Sequence, residues 1–130
     1  MKILITGITG RIGANVAAKL RTGGHDIRGL VWPKDPRIEK LEPLGIELIE
    51  GSLTSVDDVN GVVEGVDAIY HLGAAFQGGG PFSENDYFDI NIRGTFNLFS
   101  YGREDFITED DLELKIDSDV GLGSVGHRGR

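Results

Sequence analysis

Thr6-Gly7-Ile8-Thr9-Gly10-Arg11-Ile12-Gly13 follows directly on Lys2-Ile3-Leu4-Ile5, and the reading of this junction decides the fold. The apolar, β-branched run Lys2–Thr6 reads as a buried parallel strand. Behind the glycines, Ile12, Val16 and Leu20 recur at i, i+4 and i+8, the spacing of a helix with one apolar face. A glycine-rich turn between a strand and a helix is a phosphate-binding arrangement. Gly7 permits the tight turn, Gly10 lets backbone approach a pyrophosphate, and Gly13 lets the helix pack close to the sheet. The first N–H groups of that helix then point at the anion.

Outward from this turn the chain alternates. Gly23-Gly24 stops the first helix, and Asp26–Val31 reads as a second strand, broken by Pro33 and Pro36. A short helix around Arg37–Leu44 ends at Gly45. Ile46–Glu50 reads as a third strand, leaving through Gly51-Ser52. Val56–Val63 reads as a helix with Asp57 and Asp58 at its positive end. Val66–Leu72 is a fourth strand running into Gly73-Ala74-Ala75, and Gly78-Gly79-Gly80-Pro81 is a loop. From Glu84 a long helix carries Phe88, Ile92, Phe96 and Phe99 on one face, a stripe for the core or a subunit interface. Strands alternating with helices predict an α/β, Rossmann-like doubly wound parallel sheet, here truncated, with strand order 3-2-1-4.

The division expected is a domain over 1–100 and an acidic, Gly-rich tail over 101–130. The tail holds Glu104, Asp105, Glu109, Asp110, Asp111, Glu113, Asp117 and Asp119. Its one apolar alternation is Leu112-Glu113-Leu114-Lys115-Ile116. The formal net charge of -8 argues against a nucleic-acid or anionic-membrane surface. With no cysteine, disulfides and thiolate metal sites are excluded. No His, Cys or carboxylate stands at metal-ligand spacing from His71, which reads as structural, and no metal is expected. With no signal peptide or membrane-length apolar run in the sequence, the expected location is cytoplasmic.

The spacing Gly-x-x-Gly-x-x-Gly with Thr6 in front resembles the signature of the short-chain dehydrogenase/reductase superfamily. Further segments resemble its extended, epimerase/dehydratase branch: His71-Leu72-Gly73-Ala74-Ala75, Asn91-Ile92-Arg93-Gly94-Thr95-Phe96-Asn97-Leu98, and Gly51-Ser52-Leu53 in place of Gly-Asp-Leu. The resemblance covers about residues 1–99. It implies NAD or NADP as cofactor, held by Gly7, Thr9, Gly10, Arg11, Ile12, Gly13, Ser52, Leu53, Leu72, Gly73, Ala74 and Ala75. Trp32, Lys34 and Arg37, just past strand two, stand where the cofactor is chosen. An acidic residue there would bond the NAD ribose. Its absence, with the cations Arg11, Lys34 and Arg37, tilts the reading to NADP. Ser52 replaces an Asp that in the family accepts from the adenine amino group. Asn91 matches a helix Asn that supports the active site through a water; the alternative is an Asn bonded to backbone.

The family's catalytic pair is Tyr-x-x-x-Lys, on one helix. Four residues after Tyr70, Tyr87 and Tyr101 stand Ala74, Asn91 and Asp105, so none qualifies. The expectation is therefore a fragment, a truncated or frameshifted product, or a chimera, inactive as this chain. The alternative is a non-catalytic dinucleotide- or partner-binding module. A homo-oligomer, most simply a two-fold dimer, is expected through the Phe88/Ile92/Phe96/Phe99 helix or the open edge of strand four.

Overall fold

The computed structural model describes residues 1–102; the remainder of the tail, with its Leu112–Ile116 alternation, lies outside the described residues. Four parallel strands, β1 (Lys2–Thr6), β2 (Asp26–Val31), β3 (Glu47–Glu50) and β4 (Ala68–His71), form one sheet in the order β3-β2-β1-β4. β1 lies between β2 and β4, with Ile5 opposite Gly29 on one side and Thr6 opposite His71 on the other. The glycine turn thus leaves the middle of the sheet, at the carboxyl ends of its strands.

Period-two alternation divides the core into two layers. Ile3 and Ile5 of β1 join Ile27 and Val31 of β2 against Ala17 of helix α1 (Arg11–Thr22) and Leu41 of a 3-10 helix (Pro36–Leu44). Leu4 and Leu30 point the other way, onto Val59, Val62 and Val63 of α2 (Val56–Val63) and onto Leu98 of α4 (Gly94–Gly102). Gly29 leaves room for the fully buried Ile8 of the glycine turn: a Cβ there would sit 2.8 Å from the Ile8 side chain. Arg28 ties β2 to β3 and to the end of α2. Its guanidinium donates to Glu47 and to the carbonyls of Val62 and Glu64, satisfying the last carbonyls of α2.

Several elements differ in detail from expectation. The buried face of α1 is Gly13 and Ala17, with Val16 and Leu20 half-buried beside it, whereas Ile12 is 69% exposed. The helix lies so close to the sheet that only small residues fit the seam, and the larger ones flank it. The helix after β2 is 3-10, with Pro36 in its first turn and Pro43 inside it. β3 and β4 are shorter than Ile46–Glu50 and Val66–Leu72 by one and three residues respectively. The long helix from Glu84 is broken into α3 (Glu84–Phe88), a π turn (Asp89–Arg93) and α4. Ser83 and Asp86 cap α3 reciprocally. Phe88, Ile92, Phe96 and Phe99 are 54–67% exposed; the helix buries Ile90, Asn97 and Leu98 instead. The stripe is therefore no part of this chain's core. Its exposure is a condition for the expected homo-oligomer, not the assembly itself.

Candidate functional site

At the carboxyl ends of β1, β2 and β4 the chain forms one pocket, and the glycine turn is its floor. Gly7 has φ +69°, and a Cβ on it would lie 2.6 Å from the Leu72 backbone. The turn and the exit loop of β4 therefore touch main chain to main chain. Gly13 is more tightly constrained still, since its Cβ would fall 2.2 Å from the Gly7 carbonyl oxygen. Gly10 is the N-cap of α1 and carries no side-chain cap, so the first N–H groups of α1 have no side-chain partner. A bare helix N-terminus, reached across a glycine that lines the pocket, is what a pyrophosphate requires. The residues present fit that group.

The pocket gathers Gly7, Thr9, Gly10, Trp32, Arg37, Leu53, Leu72, Gly73, Ala74 and Ala75 from the expected set. Arg11, Ile12, Gly13, Lys34, Ser52 and Asn91 do not line it. Arg11 faces a neighbouring groove between α1 and the 3-10 helix, shared with Arg37 and Lys40. Lys34 holds a left-handed turn (φ 59°), its N–H donating to Glu50. Ser52 donates its N–H to Asp58, and its hydroxyl meets that of Thr54. Phe76, Gly79 and Phe82, beyond the expected set, also line the pocket.

Asn91 sits inside the π turn and clamps Ala75 with both ends of its amide. Its Oδ1 accepts from the Ala75 N–H at 2.7 Å and its Nδ2 donates to the Ala75 carbonyl at 2.8 Å. Asn91 is thus bonded to backbone and positions the loop that lines the pocket. The rest of its motif does related work. A Cβ on Gly94 would press 2.8 Å from that of Leu53, so glycine lets the helix approach the β3 exit loop. Buried Asn97 donates to the Leu53 carbonyl at 3.0 Å.

His71 links the two ends of this scaffold. The Thr95 hydroxyl donates to the Asn91 carbonyl at 2.6 Å, so it accepts from His71 Nε2–H at 2.8 Å. Nδ1 is then the acceptor for the Thr6 hydroxyl at 2.6 Å, which itself accepts from the Gly73 N–H at 3.1 Å. The chain of donors assigns the neutral Nε2–H tautomer. Burial pushes the His71 pKa below its ordinary 6.5. The unfolded chain therefore binds a proton here before the folded one does. Stability contributed by neutral His71 is fully present above about pH 6.5 and is lost as pH falls through the lower folded value. Urea unfolding of wild type is expected to show that decline as pH falls below about 6.5, and a His71→Leu variant should lack it. An equal decline in both would assign the effect to other groups. Among the described residues no cluster of His, Cys, Asp or Glu could hold a metal ion.

The sequence reading missed Asp35. No acidic residue ends β2, but four residues further on Asp35 is buried at the pocket edge, 6% exposed. Its two oxygens accept from Arg37 Nε (2.8 Å), Arg37 Nη2 (2.7 Å), the Arg37 N–H (3.0 Å) and the Thr9 hydroxyl (2.9 Å). Arg37 holds its pKa far below the usual carboxylate range, against the opposing effect of burial. The cation count behind the NADP reading changes accordingly: Arg37 is spent on Asp35, and Lys34 is outside the pocket. Lys40 donates to the Thr9 carbonyl, so the 3-10 helix grips the glycine turn at two points. The signal available was Asp35-Pro36-x, an N-cap before a helix-starting proline.

Known proteins share this sequence family and fold. Residues 3–112 match the model of the NAD dependent epimerase/dehydratase family. A 3 beta-hydroxysteroid dehydrogenase/Delta 5-->4-isomerase of Mycobacterium tuberculosis (strain H37Rv) is 31% identical over 107 residues, 78% of this chain and 28% of that protein. A 2-alkyl-3-oxoalkanoate reductase of Stenotrophomonas maltophilia is 33% identical over 100 residues, 77% of this chain and 29% of the relative. Among solved structures, a short-chain dehydrogenase/reductase superfamily protein from Agrobacterium tumefaciens with bound NAD superposes with a TM-score of 0.64. It is 34% identical, over 78% of this chain and 29% of that one. The Bordetella bronchiseptica enzyme WbmH in complex with NAD+ gives 0.68 at 27% identity, over 79% and 35%. The chain thus spans about three tenths of the length of the curated relatives it matches. Among the described residues no helix is long and apolar enough to cross a membrane. With the fold and the family model in accord over most of its length, this chain belongs to the NAD dependent epimerase/dehydratase family.

Proposed function

We propose that this chain is the cofactor-holding part of an NAD(P)-dependent oxidoreductase or epimerase/dehydratase, and that by itself it binds the dinucleotide without turning over substrate. One observation carries the reading: the uncapped N-terminus of α1, reached across Gly10, opens into the same pocket as Trp32 and the Leu72–Ala75 loop. The bound cofactor supplies hydride chemistry. The chain's own residues would hold it: α1 N–H groups at the pyrophosphate, with Trp32, Arg37 and the Asn91-clamped Leu72–Ala75 loop lining the same pocket. The relatives' names, a hydroxysteroid dehydrogenase and an oxoalkanoate reductase, favour hydride exchange at a carbonyl or hydroxyl for the whole protein. The lack of a Tyr-x-x-x-Lys pair in these 130 residues favours the binding-module reading for this chain alone. The cytoplasmic location expected from the sequence goes with this reading.

Trp32 is the chain's single tryptophan and lines the pocket, so its emission reports occupancy directly. Titration with NADH is expected to quench it, with a Kd of roughly 10–100 μM or weaker, about −6 kcal/mol or less. The same preparation should show no steady change in nicotinamide absorbance with hydroxysteroid, oxoalkanoate or nucleotide-sugar substrates. Unchanged Trp32 emission and an unshifted melting curve at millimolar cofactor would sink the binding claim; turnover would sink the second.

A further inference from the structure

We infer that the Asp35–Arg37 pair sets the cofactor preference of this chain, excluding a ribose 2′-phosphate and so favouring NAD over NADP. The inference rests on the dinucleotide reading above and reverses the tilt that cation counting gives. Val31 and Trp32, which close β2, carry no charge, so the strand end itself neither bonds a ribose hydroxyl ionically nor attracts a phosphate. The ionic chemistry of that corner falls to Arg37, which lines both the pocket and the adjoining groove.

Arg37 is not a free cation. Nε and Nη2 both donate to Asp35, whose side chain is 3% exposed while that of Arg37 is 54% exposed. Among the described residues Nη1 has no acceptor. A phosphate drawn to Nη1 would have to share the guanidinium charge with a carboxylate that water barely screens. Two anions would then compete for one guanidinium. Asp35 cannot swing clear, because Thr9 and the Arg37 N–H hold it as the cap of the 3-10 helix. A neutral 2′-hydroxyl meets no such repulsion and can accept from Nη1. Lys40 is occupied at the Thr9 carbonyl, and exposed Arg11 acts through bulk water, where its pull is weak. The buried carboxylate outweighs it.

The test compares NAD+ and NADP+ binding to the full 130-residue chain by Trp32 emission, for wild type and for Asp35→Asn. The amide keeps the shape and one acceptor for Arg37 while removing the charge. Wild type is expected to bind NAD+ about tenfold more tightly than NADP+. In Asp35→Asn that ratio should fall by about tenfold, with NAD+ affinity held within about threefold. Equal or tighter NADP+ binding by wild type, or an unchanged ratio in the variant, overturns this inference and leaves the dinucleotide reading standing. If neither dinucleotide binds a chain whose far-ultraviolet dichroism shows it folded, both fall. Should Asp35→Asn not fold, the wild-type ratio decides: about tenfold toward NAD+ supports the inference and parity overturns it.

Discussion

Gly13→Ala is expected to destabilise the fold by about 3 kcal/mol or more, although alanine is the better helix former. The added Cβ would sit 2.2 Å from the Gly7 carbonyl oxygen and 2.8 Å from the Ile8 Cα. Both neighbours are main chain, so no rotamer change relieves the overlap. Relief requires α1 to move away from β1, opening the seam that Ala17 and Ile8 fill, both of them fully buried. Overpacking where side chains can adjust typically costs about 1–3 kcal/mol, and this site has less freedom than that. In a domain of this size the melting temperature should fall by roughly 10 °C or more. A melting temperature within about 2 °C of wild type would show that the helix stands further from the sheet than described.

Gly10→Val should do the opposite: spare the fold and abolish cofactor binding. A Cβ on Gly10 meets only the Gly7 carbonyl oxygen, at 3.2 Å, a contact that a shift of a few tenths of an ångström relieves. Gly10 also has extended backbone (φ -71°, ψ 168°) that a β-branched residue adopts readily. The stability cost should be that of a poorer N-cap, about 1 kcal/mol. The valine methyl groups, however, would crowd the place where main chain must approach the pyrophosphate. Losing that approach, and with it the α1 N–H donors, is expected to weaken NADH binding by about 100-fold or more, roughly 2.7 kcal/mol. Trp32 emission and thermal melting read the two effects separately. Binding within about threefold of wild type would reduce Gly10 to a turn residue.

The two glycines look alike in the sequence, and both were legible there as parts of one motif. Their spacing after a β-branched run also indicated the strand-turn-helix order. Strand limits at Lys2–Thr6 and Asp26–Val31, the helix Val56–Val63 and the strand order 3-2-1-4 could likewise be read in advance. These features are encoded locally, by periodicity and by glycine and proline at element ends, with handedness of the crossovers supplying the order.

What the sequence did not disclose depends on residues far apart in the chain. Asp35 looks like a loop acid until the 3-10 helix folds back and brings it to Thr9, 26 positions away. Three cations looked available for a phosphate until Arg37 proved to be paired and Lys34 to lie outside the pocket. His71 is a lone histidine until β1 and α4 present hydroxyls to its two nitrogens. The sequence by itself determined the strand order and the glycine cradle, because element limits follow from the conformational limits of a few adjacent residues and crossover handedness then supplies the order. Only the tertiary structure decided which polar groups around the cradle are free to meet a ligand. Hydrogen-bond partners and burial are properties of the packed chain, and it is they that set the charge a ligand encounters.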